Sequence, residues 1–393
     1  MPRRPIYLDH QATTPVDPRV LEAMLPYFTE QFGNAASRQH VFGWTADEAV
    51  ETARHHVARL IGARAKEIVF TSGATEANTL ALRGAVAARR ERGAHVVTLA
   101  TEHKAVLDTC ARLTRDGVDV TVLPVESDGR VDTDRFESAL RADTVLASVM
   151  TANNEIGVLQ PIAELARLCR ARGVWLHTDA VQAVGHVPFD VEALGVDLAS
   201  MSAHKMYGPK GVGALYVRRS PKVALEPQTV GGGQEQGLRA GTLNVPAIVG
   251  FGAAAAIARE GLATEQVRVA TLRDRLLAGL TRELEGVVVS GSLTERLPHN
   301  LHVRFAGVDG EALMTSLADD VAVSSGAACA SGSREPSHVM TALGLDVVDR
   351  WGAVRFGLGR GTSADEIDRA LACVVERVTR LRALSPVGVG GRV

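Results

Sequence analysis

The sequence predicts an α/β protein in which a mostly parallel sheet of seven strands is joined to a smaller α+β unit. Between residues 68 and 217, short apolar runs alternate with stretches whose apolar residues recur at helical spacing. Strands that are apolar along their whole length and separated by helices are typical of parallel sheets covered on both faces. The predicted strands span residues 68–71, 96–100, 118–123, 145–150, 174–177, 198–201 and 212–217.

The helices follow from capping residues and from apolar periodicity. Asp17 and Pro18 suit the N-cap and the first position of a helix. About ten residues separate the last two predicted strands, which is too few for a helical crossover, so that pair is predicted to be antiparallel. The other predicted helices span residues 45–61, 76–92, 105–115, 134–141, 162–172, 246–260 and 265–284.

The composition is that of an ordinary globular protein and disfavours several classes. Over 393 residues the formal net charge is −2 and aromatic residues make up 4%, so no stable nucleic-acid interface is expected. No uninterrupted apolar run approaches the ~18 residues of a membrane span, and the N-terminus lacks the apolar core of a signal peptide. The four cysteines are widely spaced, which favours a reducing compartment, so the protein is predicted to be cytoplasmic.

Two predicted strands end in residues that suit an aldehyde cofactor. Lys205 follows the strand at 198–201, and Asp179 follows the strand at 174–177. A lysine amine can hold pyridoxal 5'-phosphate (PLP) as a Schiff base, and an acid can keep the pyridine nitrogen protonated, so that the ring acts as an electron sink. The pair therefore indicates a PLP site.

Other strand ends carry weaker signals. Residues 71–76 join a strand to a helix and could hold a phosphate on backbone N–H groups, but on this stretch alone an ordinary capping box with Ser72 or Thr75 as the N-cap is favoured. His103 could stack on a cofactor or simply cap a helix. Residues 153–157 form a turn signal.

The polar residues share one position in the predicted sheet. In open α/β sheets, ligands bind outside the carboxyl ends of the strands, and all of these residues come just after such ends. Together they predict a cofactor cleft. They are Thr75, His103, Asn154, Asp179, Gln182, Ser202, His204 and Lys205.

These motifs resemble those of the NifS/IscS-type cysteine desulfurases, which are class V enzymes of PLP fold type I. The resemblance runs from residue 7 to about residue 386. It implies a large PLP-binding domain at 16–262 and a small domain formed by 1–15 and 263–393. The matching stretches are 7–9, 12–15, 71–76, 102–107, 153–157, 202–211, 237–242 and 354–356.

The resemblance implies a role for each cleft residue. Lys205 is the Schiff-base lysine and Asp179 pairs with the pyridine nitrogen. Gln182 binds the phenolic oxygen of the cofactor, and His103 stacks on the ring as an acid and base. Asn154 also contacts the cofactor.

The phosphate and the substrate have their own implied contacts. Arg355 and Asn34 clamp the substrate carboxylate, and arginine suits this role because its fork donates two parallel hydrogen bonds. No metal ion is implied. The phosphate would be held by Ala74, Thr75, Ser202 and His204, and by Thr242 of the partner subunit in a homodimer.

Cys329 supplies the reactive sulfur in this interpretation. It lies in residues 324–333, where every other residue is serine, alanine or glycine, so little anchors the segment by packing. A mobile thiolate could take sulfur from L-cysteine as a persulfide and carry it to an acceptor. An incidental loop cysteine is the alternative from the residues alone. The other three cysteines lie in apparent helices and are predicted to be buried.

The predicted reaction converts L-cysteine to alanine and leaves a persulfide on Cys329. A protein acceptor such as an iron–sulfur scaffold is expected, with tRNA or DNA thiolation as other fates of the sulfur. A selenocysteine lyase or another class V aminotransferase is the first alternative, and an aminotransferase would not need Cys329. A sulfur-relay protein without cofactor chemistry is the second, and the intact Lys205 and Asp179 disfavour it.

Overall fold

A computed structural model describes residues 4–325, 337–345 and 352–384. It confirms the predicted α/β class, with seven strands in one sheet. Each predicted strand is present within three residues of its expected ends. The strands of the whole described chain are β1 Ile6–Tyr7, β2 Ile68–Thr71, β3 His95–Leu99, β4 Asp119–Leu123, β5 Thr144–Ser148, β6 Trp175–Asp179, β7 Leu198–Ser202, β8 Gly213–Val217, β9 Val287–Val289, β10 Asn300–Phe305, β11 Val321–Ala322 and β12 Ala353–Gly357.

The large sheet has the strand order β2-β8-β7-β6-β5-β3-β4. Strands β3 to β7 run parallel to their neighbours, and β8 runs antiparallel to both β7 and β2. The short β7–β8 connection is therefore antiparallel as predicted. Because β5, β6 and β7 are parallel neighbours, the residues that follow them lie along one edge of the sheet, where an open α/β sheet binds its ligands.

Helices cover both faces of this sheet, which is why its strands are apolar throughout. Ile68 and Phe70 of β2 belong to one buried cluster, whereas Val69 between them belongs to another. Successive side chains of a strand point to opposite faces, so each cluster marks one face. The helices are α1 Pro18–Met24, α2 Pro26–Thr29, α3 Val41–Leu60, α4 Ala74–Ala88, α5 Lys104–Arg115, α6 Thr133–Ala139, α7 Ile162–Ala171, α8 Val191–Leu194, α9 Val245–Glu283, α10 Gly310–Leu317, α11 His338–Ala342 and α12 Ala364–Leu384.

Capping explains several helix starts. The Asp17 side chain accepts from Arg19 N at the start of α1, as predicted. Helix α3 begins at Val41, earlier than expected, because the His40 imidazole accepts from Gly43 N and caps it. Helix α4 begins at Ala74 with Gly73 as its N-cap, so neither Ser72 nor Thr75 is the cap.

The two predicted helices after residue 245 are a single helix of 39 residues, α9. Gly261 lies inside it and does not end it, because a lone glycine costs only about 1 kcal/mol amid strong helix formers. The N-terminal half of α9 packs Phe251 and Ala254 into the core of the large sheet. Its C-terminal half packs Leu276 and Leu280 into a separate core.

That separate core belongs to a second, smaller set of strands. Strand β10 pairs antiparallel with β9 and β12, and β1 pairs parallel with β11. Ile6 and Leu8 from the N-terminal segment pack into this core with Leu276 and Leu280. The predicted division into 16–262 against 1–15 and 263–393 stays a prediction, which the separate cores support.

Helix α9 is long and apolar enough, by composition, to cross a membrane. Its N-terminal half packs against α3 and the core of the large sheet, and half of its most apolar window is buried in the fold. A buried core helix of a folded protein has the same composition.

Candidate active site

A cavity of about 580 Å³ opens at the carboxyl edge of the large sheet. Most of the predicted site residues line it. They are Ala74, Thr75, His103, Asn154, Asp179, Gln182, Ser202, His204, Lys205 and Arg355. The structure thus brings together side chains that follow separate strands, together with one arginine from the smaller sheet.

Lys205 lies just beyond β7, in a turn of 3₁₀ helix. Its Nζ donates to the carbonyl of Gln11 at 2.6 Å and to that of Ala12 at 2.8 Å. Its own carbonyl accepts from His186 Nε2 at 2.8 Å. The amine is therefore held in the cavity by two neighbouring carbonyls of the N-terminal segment, where a carbonyl group of a ligand could reach it.

Asp179 ends β6 and is 5% exposed. Its Oδ2 accepts from Asn78 Nδ2 at 2.7 Å, and its Oδ1 accepts from Val181 N at 3.1 Å. Gln182, one turn further on, donates from Nε2 to the carbonyl of Gln11 at 3.1 Å. The carboxylate is thus fixed by two donors and faces the same cavity as the lysine amine.

The N-terminus of α4 forms the third part of the site. Gly73, its N-cap, has a φ of 156°, and a Cβ built there would meet no atom within 4 Å. Open space before a helix N-terminus with unpaired N–H groups suits a phosphate. Ser72 N, one residue before the N-cap, donates to Glu76 Oε2 at 2.6 Å, but no side chain caps α4, so the loop is not the capping box that was the alternative.

His103 both caps a helix and lines the cavity. Its Nδ1 accepts from Ala105 N at 3.1 Å at the start of α5, so a proton on the neutral ring lies on Nε2. Burial lowers the pKa of His103, the charge of Asp179 opposes this, and Lys205 and His338 lower it further. The imidazole is therefore neutral near pH 7 and able to accept a proton.

His204 precedes the lysine and lines the same cavity. Its Nδ1 lies 3.1 Å from Thr13 Oγ1. Burial lowers the pKa of His204 to about 4, and the charges of Lys205 and Lys210 act in the same direction. The ring is therefore neutral and offers a hydrogen bond rather than a charge to a ligand.

Arg355 enters the cavity from β12 of the smaller sheet. It is 1% exposed, and Nη1 donates to the carbonyl of Asn154. Its Nη2 donates to Asp9 Oδ1 at 2.7 Å and to Ser324 Oγ at 2.8 Å. The guanidinium thus lies where a carboxylate in the cavity could bind it.

Three predicted residues are not placed in this cavity. Asn34 lines a separate cavity of about 710 Å³ beside α3, and its Oδ1 accepts from Ala36 N at 2.9 Å. Thr242 is exposed. Cys329 lies outside the described residues.

The remaining cysteines differ from one another. Burial raises the pKa of Cys110 to about 12 and also raises that of Cys169. Both thiols are buried, as predicted, and are unreactive for that reason. Cys373 is only partly buried, so the prediction of a fully buried thiol was wrong there. Its place on α12 at the border of the smaller core accounts for this.

Sequence reasoning missed several residues that hold the site. Asn78, which binds Asp179, lies one helical turn after Ala74 on the inward face of α4, and that spacing could have indicated it. The carbonyls of Gln11 and Ala12 that bind Lys205 left no signal, because backbone acceptors are independent of residue type. Among the described residues, no cluster of His, Cys, Asp and Glu could hold a metal ion.

A strand-end lysine, a buried acid and an open helix N-terminus around one cavity define a PLP enzyme. The glycine-lined space at α4, the acid held by Asn78 and the inward amine fit the phosphate, the ring nitrogen and the aldehyde of PLP, respectively. A family model described as aminotransferase class-V matches residues 6–370. The chain belongs to this family, which confirms the predicted family, fold and cofactor.

Individual relatives cover nearly the whole chain. A protein named cysteine desulfurase IscS, from Anaeromyxobacter sp. (strain Fw109-5), is 59% identical over 383 residues, which is 98% of this chain and 95% of the relative. A solved NifS-like protein superposes with a TM-score of 0.89 at 38% identity, covering 96% of this chain and all of that one. SspA in complex with cysteine superposes with a TM-score of 0.80 at 35% identity, covering 90% and 98%.

Proposed function

We propose that this chain is a PLP-dependent cysteine desulfurase that moves sulfur from L-cysteine to Cys329 and then to an acceptor. The observation that carries the proposal is the cavity in which Lys205, Asp179 and the N-terminus of α4 face a buried arginine. The first three suit the cofactor, and Arg355 suits an amino-acid carboxylate. The desulfurase activity itself is confirmed by relatives named for it that are 54–59% identical over nearly the full chain.

The residues of the cavity divide the work. When bound, PLP supplies the electron sink that weakens bonds at the substrate α-carbon. Arg355 binds the substrate carboxylate and orients the amino acid. His103 serves as acid and base: in the tautomer that accepts from Ala105 N at Nδ1, its Nε2–H is a donor, and it can accept a proton at Nε2 only after its own proton moves to Nδ1 and Ala105 N is released. Asp179 and its partner Asn78 hold negative charge at the buried end of the cavity.

Residues on both sides of the Cys329 segment contact the cavity wall. Before it, Ser324 Oγ binds Arg355 Nη2 at 2.8 Å. After it, His338 Nε2 donates to the carbonyl of Glu102, next to His103, at 2.9 Å. Cys329 is five residues beyond Ser324, so the chain can carry it at most about 18 Å from that contact. This supports Cys329 as the thiol that takes the sulfur.

The test supplies holoenzyme with L-cysteine and a reductant and measures sulfide and alanine. Replacing Cys329 with serine should abolish both products, because a hydroxyl cannot hold the persulfide. Cys110→Ser is the matched control and should keep wild-type rates, since that thiol is buried and its pKa is raised to about 12. Full product formation by Cys329→Ser would contradict the proposal.

We further propose that the protein is a homodimer. Seven large apolar side chains between residues 21 and 44 are exposed, and the rings of Phe32 and Phe42 lie 5.3 Å apart; large exposed apolar patches mark interaction surfaces. Thr242, implied to complete the partner's phosphate site, is exposed and lies outside the cavity of its own chain. The exposed side chains are Leu21, Leu25, Phe28, Phe32, Val41, Phe42 and Trp44.

Sedimentation tests the dimer. Phe28→Asp with Phe32→Asp should give a monomer, because two charges cannot be buried unpaired in an interface. Leu293→Asp, at an equally exposed leucine outside this patch, should remain dimeric. A wild-type protein that sediments as a monomer at all concentrations contradicts the proposal.

The acceptor and the compartment complete the proposal. We infer that the sulfur passes to an iron–sulfur scaffold protein, since the relative from Anaeromyxobacter carries the name IscS. Transfer of ³⁵S from labelled L-cysteine to a purified scaffold protein tests this. Labelling of tRNA or DNA instead would contradict the scaffold as acceptor. A cytoplasmic location is supported by the thiols of Cys110 and Cys169, which form no disulfide.

A further inference from the structure

The Arg355 guanidinium is already paired with a carboxylate of this chain. Its Nη2 lies 2.7 Å from Asp9 Oδ1, and Ser324 Oγ bridges the two, at 2.8 Å from Nη2 and 2.9 Å from Oδ1. The arginine is almost fully buried, and Asp9 is partly exposed. An ion pair closed by a hydroxyl thus occupies one arm of the group that is expected to bind the substrate carboxylate.

The backbone fixes Asp9 in this place. Leu8 N donates to the carbonyl of Ala322 at 2.9 Å, and Gly357 N donates to the carbonyl of Leu8. Asp9 itself forms a bridge with Gly357 and accepts Ala12 N at its carbonyl at 2.9 Å. The Asp9 carboxylate therefore has little freedom to leave Arg355 when a ligand arrives.

Other charges near the pair do not replace it. Glu155 is a buried acid next to Asn154, whose carbonyl binds Arg355, but burial raises the pKa of Glu155, and Ser337 Oγ donates to its Oε2. Within the described part of the chain, Asp9 is the acid that forms an ion pair with Arg355. A substrate carboxylate must therefore share the guanidinium with Asp9 and face its charge.

We propose that Asp9 is a positioning residue that holds the Arg355 guanidinium in place and, through its charge, weakens the binding of the substrate carboxylate. This rests on the proposed function, because it takes Arg355 as the carboxylate clamp. Asparagine at position 9 can still accept from Nη2 and from Ser324, but it removes the charge. The two contributions of Asp9 are thus separable by substitution.

The experiment titrates holoenzyme with L-alanine, the reaction product, and follows the absorbance of the cofactor. For Asp9→Asn we expect the dissociation constant of L-alanine to fall roughly tenfold, because one opposing charge within a few ångströms is removed. The KM for L-cysteine should fall in parallel while kcat stays unchanged. Asp9→Ala also removes the acceptor that orients the Arg355 guanidinium, so it should raise both the dissociation constant of L-alanine and the KM for L-cysteine.

Two controls separate charge from fold. L-Alanine methyl ester lacks the carboxylate, so its dissociation constant should change less than about twofold between wild type and Asp9→Asn. Asp320→Asn breaks an exposed pair with Arg377 away from the cavity and should leave every constant at its wild-type value. If Asp9→Asn does not fold, Asp9→Gln takes its place with the same expectations, because its amide oxygen can also accept a hydrogen bond without carrying a charge.

The outcomes are distinct. An active wild type whose Asp9→Asn variant binds L-alanine as weakly as before, or more weakly, overturns this inference and leaves the desulfurase intact. An equal gain for the methyl ester also overturns it. A wild type that forms no alanine from L-cysteine overturns the proposed function instead.

Discussion

The two sides of the cavity are built in different ways. On the cofactor side, Asp179, His103 and Lys205 each lie at or just beyond the end of a strand of one sheet. On the clamp side, Arg355 lies inside β12, and its partner Asp9 is 346 residues away in sequence. The cofactor-side residues are placed by the strands that precede them in the chain. The Arg355–Asp9 pair forms only when the N-terminal segment packs into the smaller core.

This difference has a chemical consequence. The cofactor side gathers its groups at the edge where parallel strands end, as the sheet topology alone requires. The clamp side joins three distant segments through Asp9, Ser324 and Arg355. Substitutions on the first side should therefore change the chemical step, and those on the second should change substrate affinity.

The largest effect is expected from Asp179→Asn on the cofactor side. Loss of the buried charge should lower kcat for alanine formation by about a thousandfold, because the ring nitrogen loses its anionic partner. KM should change little. Steady-state kinetics check this, and Asp197→Asn is the control, since Asp197 is a partly buried acid just before β7, at the opposite end from Lys205. A Asp179→Asn variant with near-normal kcat would show that the acid is not needed.

Arg355→Lys comes next, on the clamp side. Lysine keeps the charge but cannot form the fork that donates to a carboxylate and to Asp9 together. We expect KM for L-cysteine to rise about a hundredfold with kcat within a few fold of wild type. Kinetics over a wide range of L-cysteine concentration check this. A fall in kcat at unchanged KM would remove the distinction between the two sides.

The same contrast explains how much of the site could be predicted from sequence. Apolar runs and their spacing were enough to predict seven strands, and strand ends were enough to bring Asp179, His103 and Lys205 together. Arg355 was implied only by resemblance, and no pattern indicated that Asp9 would pair with it, because that contact depends on the segment after β1 meeting β12 in the folded chain.

The errors have physical causes as well. Two helices were predicted at 246–260 and 265–284, but packing of both halves of α9 against separate cores keeps it continuous. The start of α4 was placed two residues late, since acid and hydroxyl residues suggested a side-chain cap where Gly73 serves. Local signals were thus outweighed by tertiary packing in one case and by backbone conformation in the other.

His103 gives a prediction for pH dependence. Because burial lowers its pKa below 6.5, the neutral base persists in mildly acidic solution, and kcat/KM should fall only as the pH drops through this lowered value. His338, contributed from α11, lowers the pKa further, so His338→Asn should move the acid limb of the profile to higher pH. His55→Asn, at an exposed histidine, should leave the profile unchanged. If the acid limb of the kcat/KM profile stays at the same pH in His338→Asn, then His338 does not lower the pKa of His103.

The smallest expected effect is on stability in acid, and it comes from one buried histidine in each sheet. Burial lowers the pKa of both His177, in β6, and His302, in β10, to about 3. The unfolded chain binds these protons near pH 6.5, so each histidine should lower the free energy of unfolding by about 1.4 kcal/mol per pH unit as the pH falls from 6.5 towards 3.

Asparagine substitutions separate stability at neutral pH from the acid response. His177 binds Ser148 at Nδ1 and Ser200 at Nε2, at 2.8 and 3.0 Å, so His177→Asn should cost about 1–3 kcal/mol at pH 7. His302 has one long contact, 3.4 Å to the carbonyl of Ser325, and a buried Nδ1 without a hydrogen bond, so His302→Asn should cost less. Urea unfolding at pH 7 and pH 5 measures both. In each variant the fall in unfolding free energy between pH 7 and pH 5 should be smaller, because one histidine no longer takes up a proton on unfolding. An unchanged fall in His302→Asn would show that His302 does not bind a proton on unfolding.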